Sequence, residues 1–145
     1  VNRSFGFFIK PFKIGENMSY YNSKLVALSF EEAIEKVTDE LKKEGFGVLT
    51  EIDVQATLKK KLDVDFRKYK ILGACNPPFA YKALQAEEHI GVLLPCNFIV
   101  QEKLEGGVQV SAINPLESMK VVENSDLASI AGEVAARITK VLGNI

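Results

Sequence analysis

Near the C-terminal end of the chain, Leu127, Ile130, Ala131, Val134, Ala135, Ile138, Val141 and Leu142 recur at the three- and four-residue steps that align side chains along one side of a helix. A stripe this broad and apolar is not stable facing water, so the helix must lie against another layer. Ser125 is placed to cap its start and Gly143 to stop it. A second helix has the same need. Ser29 and Glu32 form a capping box ahead of Phe30, Ala33, Ile34, Val37 and Leu41, and Gly45 stands where a left-handed residue would end the helix.

The missing layer is supplied by the runs between these helices. Strands are predicted over residues 19–28, 46–52 and 69–74, rich in β-branched and aromatic side chains. The apolar stretch 90–103 is broken by Pro95, which cannot donate to a ladder, so it reads as a short strand at 92–94, a break, and a second strand from Phe98. Gly106-Gly107 reads as a hairpin turn into Val108, Val110 and Ala112, and Asn114-Pro115 ends that strand. Two shorter helices complete the order. Asp53 caps one bearing Val54, Leu58 and Leu62, and Asn76 stands before one with Pro77 and Pro78 in its first turn and Phe79, Ala80, Ala83 and Leu84 on its apolar side. The fold class expected is α+β, a mainly antiparallel sheet covered on one face by helices.

A chain of 145 residues has room for one domain with a core that needs no disulfide staples. Residues 18–145 read as that domain. Residues 1–17 set Phe5, Phe7, Phe8 and Phe12 among Arg3, Lys10 and Lys13, with neither the continuous apolar segment nor the small-residue cleavage site of a secretory signal. They read as a leader or appended segment; the competing reading is a native extension whose phenylalanines pack on the domain or on a partner. With 18 basic and 19 acidic residues there is no cationic field to gather phosphates, so nucleic acid is not an expected partner. No apolar run nears the roughly 20 residues a membrane helix needs, so no membrane is expected either. A cytoplasmic location is expected, with both thiols free.

Chemistry concentrates at two Cys-Asn steps beside prolines, Cys75-Asn76-Pro77-Pro78 and Pro95-Cys96-Asn97, each following an apolar run. They hold both cysteines. If the preceding runs are neighbouring strands, the thiols could meet as a redox couple or, with His89 as a third ligand, as a metal site with an open position. No short ligand spacing supports the metal, however, and cysteine is also a common buried apolar residue. Asn76 and Asn97 could orient a ligand, although asparagine beside proline is first a turn and capping residue. Glu51 and Asp53 alternate around Ile52 and could present two carboxylates on one face, an arrangement suited to acid–base work, while Asp53 already has its capping role. Lys59, Lys60 and Lys61 read as a solvated helix face. There is no Gly-rich phosphate loop, Gly-x-Ser-x-Gly elbow or His-Glu-x-x-His, and no cofactor can be named from the residues.

Taken as strings, the segments Gly45-Phe46-Gly47-Val48-Leu49-Thr50-Glu51-Ile52-Asp53, Lys61-Leu62, Ile71-Leu72-Gly73-Ala74-Cys75-Asn76-Pro77 and Leu93-Leu94-Pro95-Cys96-Asn97 together resemble a bacterial and archaeal family, the domain of unknown function numbered three hundred and two. The resemblance spans about residues 18–142. It implies a curved antiparallel sheet with helices packed on it, like one half of the TATA-box-binding protein, and a tendency to form homodimers. It supplies no activity, substrate or catalytic residue, and fold likeness alone does not argue DNA binding. Three functional expectations stand at this point. The leading one is a small-molecule pocket walled by Cys75, Asn76, Pro95, Cys96 and Asn97, with Glu51 and Asp53 on a neighbouring strand. The others are a thiol-dependent redox enzyme or metal handler using Cys75 and Cys96, and a structural module acting as a homodimer.

Overall fold

The proposed leader at residues 1–17, and Met18 after it, lie outside residues 19–145, which the computed structural model of the chain describes. The order of elements is β1 (Tyr21–Val26), α1 (Phe30–Lys43), β2 (Gly47–Asp53), α2 (Val54–Leu62), β3 (Tyr69–Cys75), α3 (Pro77–Ala86), a 3₁₀ segment (Glu88–Leu93), β4 (Cys96–Glu102), β5 (Val108–Ile113), α4 (Pro115–Ser118) and α5 (Ser125–Gly143). The strands form one open sheet in the order β1-β5-β4-β3-β2, and every neighbouring pair is antiparallel. The fold class is α+β, with helices on one face of the sheet.

Local sequence explains most of the boundaries. Ser29 accepts from the Glu32 amide while the Glu32 carboxylate accepts from the Ser29 amide, so both halves of the capping box are made. Gly45 has φ of 84°, and the Phe46 and Gly45 amides donate to the Leu41 and Lys42 carbonyls. This is the paired closure that a left-handed residue permits, and it seats Phe46 beside Leu41. Asp53 accepts from the Ala56 amide and caps α2. Gly106 and Gly107 carry positive φ in the β4–β5 turn.

Two boundaries differ from the sequence expectation. Residues 92–94 are not strand: Val92 and Leu93 belong to the 3₁₀ segment, and β4 starts at Cys96, directly after Pro95 and its cis peptide bond, rather than at Phe98. A three-residue apolar run has no periodicity to tell strand from turn. α5 is capped by Asn124, whose Oδ1 accepts from the Asp126 and Leu127 amides, and not by Ser125, which is its first helical residue.

The core lies between the sheet and helices α1 and α5. Leu72, Phe98, Val100 and Val110 from the three central strands meet Val37 and Leu41 of α1 and Ile138, Val141 and Leu142 of α5, all of them fully buried. Full burial of one such side chain contributes roughly 1.5–3 kcal/mol, so this layer dominates stability. Lys24 reaches from β1 to the end of α5, where its Nζ donates to the carbonyls of Leu142, Gly143 and Ile145 at 3.2, 3.4 and 2.8 Å. A cation there satisfies orphan carbonyls and suits the helix dipole. The opposite sheet face carries the row Ile52, Ile71, Ile99, Ser111 and Ser23, with the two serine hydroxyls 2.7 Å apart.

Gly73 sits where that face is crowded. A Cβ there would run into Thr50 Oγ1 and lie 2.8 Å from Pro95 Cγ. Gly73→Ala is expected to cost about 1–3 kcal/mol by overpacking. Urea unfolding of the two proteins measures this, and an unchanged midpoint would mean that Thr50 and Pro95 move aside freely.

Candidate functional site

The strand ends singled out in the sequence meet at a cavity. Ala74 of β3 and Cys96 of β4 are direct partners in the ladder, and Gly73 faces Asn97. The chain leaves β3 into α3 through Cys75-Asn76 and enters β4 through Pro95, so both turns lie at the same end of the sheet. Between that end, α3 and α5 is a cavity of about 350 Å³ whose lining is overwhelmingly apolar. Its walls include Phe46, Ala74, Cys75, Asn76 and Cys96 from the sheet side, Phe79, Ala80 and Ala83 from α3, and Ile130, Ala131 and Val134 from α5, with Leu94, Pro95 and Met119 at connections. The volume falls at the lower end of ordinary small-ligand pockets.

The space has a simple origin in the sequence. Ala74, Ala80, Ala83 and Ala131 supply only methyl groups at facing positions, where bulkier residues would have filled the gap. The surrounding elements are tied together at α3. Asn76 Nδ2 donates to the Glu44 carbonyl at the end of α1 (3.1 Å), and Arg137 of α5 donates to the same oxygen (3.3 Å) while its guanidinium lies 5.2 Å from the centre of the Phe79 ring.

Four of the seven residues named from the sequence, Cys75, Asn76, Pro95 and Cys96, line this cavity. Asn97 is exposed on the uncovered sheet face. Glu51 and Asp53 are exposed on the edge strand β2; Glu51 pairs with Lys70 (3.6 Å) and Asp53 caps α2, and neither reaches the cavity. The wall residues from α3 and α5 and Met119 were not singled out as a site. The signal they carried was a cluster of alanines on apolar helix faces, which by itself reads as close packing.

The thiols are both free. Cys96 is the ladder partner of Ala74, the residue before Cys75, and both cysteines line the cavity. Burial in apolar surroundings, with a smaller contribution from Cys75, pushes the Cys96 thiol up to about 11. Cys96 is therefore protonated at neutral pH and a weak nucleophile. His89 is exposed beside Glu87 and Glu88, away from the cavity walls, and no group of three His, Cys, Asp or Glu among the described residues is arranged to hold a metal ion. No helix among them is long and apolar enough to cross a membrane.

Residues 22–145 match the family described as Domain of unknown function DUF302. The chain belongs to this family. A solved structure agrees in fold: the crystal structure of an uncharacterized conserved DUF302 protein from Bacillus stearothermophilus superposes with a TM-score of 0.81 at 28% identity, covering 86% of this chain and 97% of that one. No curated protein matches the chain.

The cavity geometry fixes the order of thiol reactivity within this DUF302 domain. Iodoacetamide at pH 8 is expected to label Cys75 and leave Cys96 unmodified, with Cys96 reacting appreciably only as the pH approaches 11. Peptide mass spectrometry reads both sites, and fast labelling of Cys96 at pH 8 would contradict its burial.

Proposed function

We propose that this DUF302 domain binds a small, uncharged, apolar molecule in the cavity between α3, α5 and the ends of β3 and β4. The observation that carries the reading is a cavity of about 350 Å³ with almost no polar lining, bounded by Cys75-Asn76 and Pro95-Cys96. An apolar space of this kind holds water poorly and gains free energy by taking hydrocarbon. Among the described residues no carboxylate or ammonium stands in its wall, so a charged ligand would lose its hydration without a partner there.

Thiol-dependent catalysis and metal handling have less support. Both need a thiolate, and Cys96 holds its proton up to about 11.

Butylbenzene is a suitable neutral probe. Titration is expected to raise the melting temperature with concentration and to perturb the amide resonances of Cys75, Phe79 and Ala83. Ala80→Phe fills the cavity from α3 and should weaken that binding at least about tenfold without lowering the melting temperature. Absence of any perturbation at the cavity walls would overturn the proposal.

A homodimer is a second, compatible reading, favoured by the uncovered sheet face. Ile52, Ile71 and Ile99 run side by side across it, and Ile52 is 48% exposed. Light scattering on a sizing column should then give twice the chain mass, falling to one chain mass for Ile71→Lys. A monomer at micromolar concentration would rule this association out.

A further inference from the structure

Asn76 precedes α3 in the position from which asparagine normally caps a helix, yet its side chain makes no capping bond. The reason is local. Pro77 and Pro78 occupy the first two helical positions and have no amide to be capped, and the Asn76 carboxamide turns instead toward α1. Its orientation is fixed chemically. The Glu44 carbonyl can only accept, so the carboxamide atom that meets it must be Nδ2. Nδ2 is also the atom that lies nearest to Gly45, which leaves Oδ1 as the free end of the group.

Asn76 as a residue is more than nine-tenths buried in the cavity wall, while its Oδ1, which accepts no hydrogen bond from the described residues, is not itself sealed off and stays open to a small molecule. A second polar group stands beside it. The Phe79 amide is the first N–H in the helix, belongs to another wall residue, and has no acceptor among the described residues. In an ordinary cap these two groups would bond to each other. Here they do not, and an acceptor and a donor on wall residues three positions apart are each left without a partner among the described residues.

We infer that the cavity recognises an apolar molecule carrying one hydroxyl, which donates to Asn76 Oδ1 and accepts from the Phe79 amide. A hydroxyl is the smallest neutral group that does both, whereas an ether can only accept and a hydrocarbon does neither. The ligand class is an apolar alcohol or phenol. This inference rests on the apolar-pocket reading above and adds the chemistry of the ligand's polar end.

The test compares para-propylphenol with its methyl ether on the intact chain, by calorimetry and by amide resonances. The phenol should bind roughly three- to tenfold more tightly, the range one well-formed hydrogen bond supplies. It should also shift the Phe79 amide more than the ether does, and in Asn76→Ala the two probes should converge. If that variant does not fold, the comparison in the unaltered chain still decides. Equal affinity for the two probes, with both bound, would overturn the hydroxyl inference and leave the pocket intact. Binding of neither would remove the pocket reading and this inference together.

Discussion

The apolar face shared by β3, β4 and β5 is the surface on which the rest of the structure depends. Leu72, Phe98, Val100 and Val110 present a continuous dry layer, and α1 and α5 have broad stripes that only such a layer can cover. Once those stripes are seated, the helix axes are set and α3 docks against α5. The cavity is what is left where α3 and α5 face the end of the sheet through alanines. The cavity follows from core packing, with Leu94, Pro95 and Met119 at connections completing its wall.

The chemistry of the site follows from the same burial. Removing the Cys96 thiol from water disfavours its ionised form, so a residue type that could act as nucleophile or metal ligand behaves as a small apolar wall. Asn76 keeps its polarity because half of its carboxamide is spent on the Glu44 carbonyl. The cavity wall formed by the described residues is largely apolar, with Asn76 as one of its few polar members.

Much of the fold was legible in the chain. The stripe at Leu127 to Leu142, the capping box at Ser29 and Glu32, Gly45 as a left-handed stop, and Asp53 as a cap each depend on local spacing, which a sequence displays directly. What local spacing does not display was harder to read. Val92 to Leu94 is too short to show a period. Ser125 and Asn124 both cap well, and only the path of the chain selects between them. At the site, Cys75 and the residues after it marked the end of β3, whereas Pro95-Cys96 stands at the start of β4 and follows no strand; four named residues line the cavity. Asn97 was grouped with them as the neighbour of Cys96, and Glu51 and Asp53 by their expected place on a neighbouring strand, but position on the outer strand β2 and the alternation of the pleat turn them away. The helical walls escaped notice because a void between facing alanines exists only after the helices are paired.

The place of β1 has a consequence for the order in which the domain assembles. Among the described residues its neighbour in the sheet is β5, and the bond between Ser23 and Ser111 spans 88 residues. Lys24 of the same strand closes on carbonyls more than a hundred residues away, at the end of α5. Among the described strands β1 therefore emerges well before β5, the strand it pairs with. β2, β3 and β4 can pair with one another before β5 is made, and the loop closed when β1 meets β5 is long and correspondingly costly. The β1–β5 seam joins the two most distant strands in the described order.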